Sequence, residues 1–184
     1  MSDISGECIT APSGKYITTN YNSMSTTTLS LALEELNIDL HQVLAFGYLA
    51  AATTIETTST SEYYSIGPFT NPYSLGFIVS GNKITYTGTN PKLIKVLFSV
   101  CASSDTSTTY ATIAIRKNDS IVTGSNKAVQ LKLTADTRAW VTFADEELKN
   151  GDTIELVINT DKAGAKITFC NAQANLFQAT LTHE

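Results

Sequence analysis

The sequence has few of the residues that carry most enzyme chemistry. It contains two histidines, His41 and His183, and neither lies in a local pattern with a nucleophile and an acid. It has no glycine-rich phosphate loop and no Cys/His spacing typical of a metal site. Its three cysteines, Cys8, Cys101 and Cys170, favour reduced, packed thiols over a Cys101–Cys170 disulfide. We therefore expect no enzyme, no catalytic residues, no metal and no cofactor.

Charge is also scarce. Charged residues make up 16% of the chain, against roughly 25% in an ordinary soluble domain. The formal net charge of -5 does not favour nucleic acid or an anionic membrane as a partner. The longest apolar stretch, residues 43–52, is too short to span a bilayer, and residues 1–6 lack the pattern of a secretory signal. We expect a soluble protein with no nucleic-acid partner and no membrane insertion.

An acidic run, Asp145 to Glu147, precedes a turn that carries Asp152. Four carboxylates in such a short stretch could form a calcium site, but the alternating ligand rhythm of a calcium loop is missing. The run is therefore interpreted as part of a solvated turn.

Threonine and serine supply the polarity that charge does not. Threonine is β-branched and favours strands. From Tyr63 onward, short apolar runs with a period of two are separated by Gly, Asn and Asp turns, with no helical pattern between them. About seven to nine short strands at this spacing predict one antiparallel β-sandwich.

One predicted strand, Leu93 to Ala102, is apolar on both faces, as is typical of a central strand or a subunit interface. Trp140 lies on the opposite face from its neighbours Ala139 and Val141, and tryptophan is enriched at interfaces. Ordinary packing inside the domain is the alternative for Trp140. The candidate interface residues are Leu93, Leu97, Cys101 and Trp140.

The N-terminal third has a different pattern. Residues 1–24 lack apolar periodicity and predict an extended arm. Residues 25–47 predict a short helix that Gly47 ends, and low-complexity residues 50–61 predict a linker. The helix stripe has three possible partners: its own domain, copies of itself about a threefold axis, or another protein. The stripe consists of Leu29, Leu33, Leu36, Leu40 and Val43.

Four stretches carry a resemblance to a known family. They are Ile84-Thr85-Tyr86-Thr87-Gly88, the strand from Leu93 to Cys101, the hairpin from Ile113 to Ser120, and Leu148-Lys149-Asn150-Gly151-Asp152-Thr153-Ile154-Glu155-Leu156. In this order they resemble the Tyr-Thr-Gly strand end, the central strand, the Lys-Asn-Gly-type hairpin and the penultimate strand of the tumour-necrosis-factor-like (TNF-like) and complement-globular-domain-like jelly rolls. These domains occur as trimers in bacteriophage virion proteins.

The resemblance covers residues 62–182 and departs from the family pattern twice. Asp119 stands where the family usually has glycine, and aspartate tolerates the left-handed conformation needed there. The final strand lacks the Phe-x-Gly-Phe ending of the animal complement-type branch. The second departure favours a virion protein over a secreted animal ligand.

The resemblance implies an all-β jelly-roll sandwich that forms a homotrimer. The expected organisation is an arm (1–24), an attachment region of short helix and linker (25–61) and a jelly-roll domain (62–184). The expected function is that of a structural virion protein: a capsid decoration, head-fibre or tail-associated protein anchored to other virion proteins, such as capsid or tail, by its N-terminal region. Its expected location is the virion, assembled in the host cytoplasm.

The alternative is a receptor- or glycan-binding tip module of a phage fibre, which would contact a host surface glycan. Aromatic loop residues would form such a site, because aromatic rings and hydroxyl groups suit recognition at a wet surface. The candidates are Tyr63, Tyr64, Tyr73 and Tyr110.

Overall fold

The computed structural model describes residues 9–10, 16–17, 43–106, 109–132 and 137–179. The chain divides into two compact units, residues 1–40 and 41–184. In the first unit, β1 (Ile9–Thr10) pairs antiparallel with β2 (Tyr16–Ile17). The rest of the predicted arm and the leucines from Leu29 to Leu40 lie outside the described residues.

The second unit consists of two antiparallel sheets, and the described residues contain no helix. The six-stranded sheet contains β3 (Val43–Leu49), β4 (Thr53–Thr57), β6 (Phe69–Ser74), β9 (Lys92–Ser104), β13 (Arg138–Leu148) and β15 (Ala165–Gln178). The seven-stranded sheet contains β5 (Tyr64–Ser65), β7 (Phe77–Ser80), β8 (Lys83–Tyr86), β10 (Thr109–Lys117), β11 (Ser120–Ile121), β12 (Lys127–Leu131) and β14 (Thr153–Thr160).

The strand order is that of a jelly roll. The six-stranded sheet runs β13–β9–β15–β3–β6, with β4 beside β15, and the seven-stranded sheet runs β11–β10–β14–β8–β7, with β12 on β10 and β5 on β14. From β8 to β10 and from β12 to β15, the principal strands alternate between the sheets, so the chain wraps around its own core. The predicted all-β antiparallel jelly roll is confirmed.

Period-two alternation explains why these segments form strands. Along β9, Ile94, Val96 and Phe98 are fully buried, and the residues between them are half-buried on the other face. Along β14, Ile154, Leu156 and Ile158 face the core, and Glu155 and Val157 between them are buried on the other face. The two sheets meet through these side chains. Within the six-stranded sheet, the ring centroids of Phe69 and Phe98 lie 6.0 Å apart.

Two tight turns that the sequence predicts are present. Asn118 and Asp119, both with positive φ, connect β10 to β11 as a two-residue hairpin turn. Gly151, with φ of 89°, lies in the turn before β14 and donates its N–H to Tyr86 O at 2.8 Å. A side chain at Gly151 would be strained, which is why glycine suits this position.

Strand β15 contains a bulge between Phe169 and Asn171. Before the bulge, Ile167 and Phe169 face the core; after it, Ala172 and Ala174 do. A bulge inserts one residue and thereby shifts the alternation of the strand. It therefore turns Asn171 and the odd-numbered residues that follow it to the outer side.

Two sequence expectations are wrong. The predicted helix extends through Gly47, but Val43–Leu49 is β3, paired with β15. The predicted linker of residues 50–61 contains β4, whose Thr57 is fully buried opposite Ala165. In both cases the open edge of the long strand β15 offers backbone hydrogen bonds that override local pattern. The sandwich therefore begins at Val43, not at residue 62, and Val43 leaves the proposed helix stripe.

Replacing Phe98 tests the position of the core. Phe98 is 0% exposed, so we expect Phe98→Ala to lower the free energy of unfolding by about 3–5 kcal/mol, measured by denaturant titration. Ile78→Ala is the matched control, because Ile78 is 58% exposed on β7; we expect a change within about 0.5 kcal/mol. Similar losses in both variants would contradict this assignment of the core.

Candidate functional site

The outer face of the six-stranded sheet, the side turned away from the core, carries two rows of side chains in register across neighbouring strands. The first row is Phe143, Leu97, Asn175, Phe46 and Tyr73. The second row is Val141, Ser99, Gln173 and Tyr48. Each row runs from β13 at one side of the sheet to β3 or β6 at the other.

Apolar side chains are concentrated on both flanks of this face. Phe143 and Val141 on β13 are 54% and 50% exposed, and Tyr73 on β6 is 48% exposed. The rings of Phe46 and Tyr48 stack with their centroids 5.9 Å apart. Contiguous exposed apolar surface on a soluble protein marks an interaction site. We call Leu97, Val141 and Phe143 the β13 flank, and Phe46, Tyr48 and Tyr73 the β3 flank.

The centre of the outer face is uncharged. Neither row contains a charged side chain. Towards one end Lys95 stands in register with Asp145, and towards the other Lys166 Nζ lies 3.9 Å from Glu56 Oε2. The flanking charges are thus of both signs, although the whole chain carries -5. These charges of opposite sign offset one another, so they add little to long-range repulsion between copies.

The structure brings three of the four candidate interface residues together. Leu93, Leu97 and Cys101 all lie half-buried on the outer face of β9. Trp140 lies on the other side of the sheet: it is opposite Val100 and packs against the core. Its Nε1 is buried and has no hydrogen-bond partner within the described part of the chain.

Sequence reasoning named Leu97 as an interface residue and Tyr73 only as a candidate sugar contact, and it missed the other four flank residues. The sequence shows that Val141 and Phe143 lie on one side of their strand and Trp140 on the other. It does not show which of these two sides faces the core. Phe46 and Tyr48 were missed because their segment was interpreted as the end of a helix.

The two described cysteines are neighbours, and the Cys170 thiol donates to the backbone carbonyl of Cys101. Cys101 and Cys170 are free, and Cys170 Sγ lies 3.1 Å from Cys101 O. A hydrogen bond with the Cys170 thiol, followed by burial, raises the pKa of Cys101. The Cys101 thiol is therefore protonated at neutral pH and is a poor nucleophile.

A shallow cleft of about 310 Å³ opens at one end of the sandwich. Its lining includes Leu44, Leu75 and Tyr86, and Lys92 is the one charged residue that lines it. The Tyr86 hydroxyl donates to Asn90 O at 2.7 Å and so is already engaged. The cleft offers no acid–base pair for catalysis.

The acidic run, Asp145 to Glu147, lies in strand β13 and not in a turn as the sequence predicted. Lys117 Nζ lies 3.2 Å from Glu146 and 3.7 Å from Asp152. Hydrogen bonds from the Lys149 N–H and from Asn118 lower the pKa of Asp152. In the described ranges, no three His, Cys, Asp or Glu side chains are grouped as metal ligands would be. Nor do these ranges contain a helix with the length and hydrophobicity needed to cross a bilayer.

A buried ion pair connects strands of the seven-stranded sheet. Glu155 on β14 is 2% exposed and accepts hydrogen bonds from Arg116 at 2.8 Å and Ser65 at 2.6 Å. Burial raises the pKa of Glu155, but the hydrogen bonds from Arg116 and Ser65 and the charges of Arg116 and Lys83 outweigh it. The net result is a lowered pKa. This cluster stabilises the sheet that lies opposite the outer face described above.

Glu155→Gln should expose this stabilisation through its pH dependence. Because the pKa of Glu155 is lower in the folded state than in the unfolded state, ionisation of this carboxyl stabilises the fold. This stabilisation is complete above the unfolded-state pKa of about 4.3 and is lost as the pH falls through the folded-state pKa. We expect the variant to melt at a lower temperature than the wild type at pH 7, and the difference to shrink towards pH 3. A gap that stays constant between pH 7 and pH 3 would contradict the role of the ionised carboxylate.

No family model and no curated protein matches this sequence. Among solved structures, the chain is similar to Eiger TNF from S. frugiperda, with a TM-score of 0.46, 10% identity, and coverage of 77% of this chain and 96% of that chain. It is also similar to murine APRIL, with a TM-score of 0.44, 13% identity, and coverage of 71% of this chain and 98% of that chain. A third similar structure is the globular domain of zebrafish complement 1qA protein, with a TM-score of 0.42, 11% identity, and coverage of 76% of this chain and 98% of that chain.

Proposed function

We propose that this protein is a non-enzymatic structural module that assembles as a homotrimer through the outer face of its six-stranded sheet. The observation that supports the proposal best is the pair of apolar flanks on one face whose two central rows carry no charged side chain. Burial of apolar surface contributes roughly 25 cal/mol per Å². Exposed rings such as Phe143 and Tyr73 therefore favour association once they are covered.

The arrangement of the flanks suits a closed ring. In a cyclic assembly each protomer presents one patch to the preceding neighbour and a different patch to the next. The β13 flank and the β3 flank lie on opposite sides of one face, as this geometry requires. The number three comes from the trimeric jelly rolls that the sequence resembles.

Leu97→Glu tests the interface. Light scattering of the wild type should give a mass near three times 19.8 kDa, and the variant should give the mass of one chain. Leu97 is only half-buried, so the sandwich should stay folded. Introduced charge on the apolar flank would have to lose its hydration on association, which is unfavourable.

Two variants control this experiment. Ile78→Glu places the same charge on an exposed apolar residue of β7, in the other sheet, and should leave the trimer intact. Val96→Glu, next to Leu97 but fully buried, should unfold the domain. A wild type of one chain mass would contradict the proposed homotrimer.

We further propose that the trimer is a structural virion protein. It would be a capsid decoration, head-fibre or tail-associated protein, located in the virion after assembly in the host cytoplasm. The support is the resemblance carried by the four sequence stretches, together with the leucine stripe that precedes the sandwich. Other virion proteins, such as capsid or tail, would be its partners through the N-terminal region. With Val43 in β3, the proposed attachment stripe is Leu29, Leu33, Leu36 and Leu40.

Leu36→Asp combined with Leu40→Asp tests attachment. We expect the double variant to remain a folded trimer and to be lost from purified particles, as measured by protein content after gradient centrifugation. If the two leucines pack on their own domain instead, the melting temperature of the sandwich will fall, and the attachment proposal will have to be abandoned.

The alternative, a glycan-binding tip, receives less support from the geometry. Tyr73 lies in the six-stranded sheet and Tyr110 in the seven-stranded sheet. The Tyr64 hydroxyl is held by the N–H of Ser59 at 2.8 Å. Tyr110 is 52% exposed, but its hydroxyl already accepts a hydrogen bond from Gln130 Nε2 at 2.9 Å.

A further inference from the structure

The central strand of the outer face carries amide side chains between two apolar flanks. After the bulge in β15, Asn171, Gln173 and Asn175 occupy alternate outward positions, while Ala172 and Ala174 face the core. Gln173 stands between Ser99 on β9 and Tyr48 on β3, and Asn175 stands between Leu97 and Phe46. We call Asn171, Gln173 and Asn175 the amide row.

Across the described ranges of the chain, no hydrogen bond is made by the side-chain amides of this row. Other amides of the sandwich are engaged: Asn159 donates to two carbonyl oxygens, those of Thr60 and Glu62. In the free protomer, water satisfies the amide row. When the flanks beside it are covered, that water is lost, and each amide needs a new partner.

A second copy of this chain provides such a partner. A carboxamide carries both a donor NH₂ and an acceptor oxygen, so two amides can satisfy each other. A purely apolar partner would leave the row unpaired. A strongly charged partner would not match the two central rows, which carry no charged side chain of their own; the Lys127 ammonium lies 5.7 Å from the centroid of the Phe143 ring. The chemistry of the face is thus complementary to itself.

The position of the row determines which copies meet. In a closed ring, the β13 flank of one protomer contacts the β3 flank of the next, so the strand between the flanks faces the symmetry axis. The amide row lies on that strand, β15. Side chains at an axis meet their own copies.

We propose that the amide row lines the threefold axis of the homotrimer, where Gln173 and Asn175 hydrogen-bond to their own copies and fix the number and register of the subunits. The proposal rests on the self-association proposed above. A polar residue buried in an otherwise apolar interface has this effect in coiled coils, where it selects one register and one oligomeric state.

Charge placed at Gln173 distinguishes an axial position from any other position in the interface. Gln173→Glu keeps the size of the side chain but brings three like charges together at the axis. We expect its trimer to dissociate at a concentration about 100-fold higher than the wild-type trimer at pH 8 and low salt. Gln173→Lys should do the same. Circular dichroism should show both variants folded, because Gln173 is only half-buried on the outer face.

Mixing the two variants is the decisive step. If Gln173 meets its own copies, equal amounts of the Glu and Lys variants will form trimers of two chains of one kind and one of the other, visible by native mass spectrometry. Gln178→Glu is the matched control, because Gln178 is an exposed amide at the end of the same strand. The control variant should form a trimer without a mixing partner, and its trimer should dissociate at the same concentration as the wild-type trimer.

The outcomes separate the two proposals. A wild type that is monomeric overturns the proposed trimer and the axial row with it. A trimeric wild type with an equally stable Gln173→Glu trimer overturns the axial row alone. So does a pair of dissociated Glu and Lys variants that fail to combine, because the residue would then lie in the interface but away from its copies. Asn175→Asp mixed with Asn175→Lys, tested in the same way, should reproduce the result for Gln173.

Discussion

The structure depends on the hydrogen bonding of β15 along both of its edges. On one side β15 pairs with β9 from Ile167 to Gln178, and on the other it pairs first with β4 and then with β3. Such a strand cannot slide or rotate without breaking two ladders at once. Every side chain of the six-stranded sheet therefore has its face assigned by this one strand, including the apolar flanks and the amides between them.

The two sheets satisfy their outward side chains in different ways. On the seven-stranded sheet, Glu155 is enclosed by Arg116, Ser65 and Lys83, and the charges are neutralised within one protomer. On the six-stranded sheet, the centre of the outer face carries rings and amides that find few partners in their own chain. The buried charges of the seven-stranded sheet are thus paired within the protomer, whereas the exposed rings and amides of the six-stranded sheet favour contact with another molecule.

Alternation and turn residues were sufficient to predict the sandwich, because strands such as β9 and β14 bury one complete face and their turns require Asn, Asp or Gly. They also placed Leu93, Leu97 and Cys101 on one face. The segment from Val43 to Leu49 was not predictable from local pattern, since its strand conformation comes from the β15 edge, which lies far away in the sequence. The sequence likewise did not determine which of Trp140 and Phe143 faces the core. Alternation with a period of two divides the residues of a strand into two sets without showing which set is buried.

The bulge at Cys170 determines which residues of β15 face the core. Core positions are odd-numbered before the bulge and even-numbered after it. The alternation of core-facing and outward side chains along β15 therefore shifts by one residue at this point. An insertion or deletion near Cys170 would exchange alanines for amides in the interior over half the strand. The spacing between Phe169 and Ala172 is therefore constrained to keep its length, whatever side chains the outer face carries.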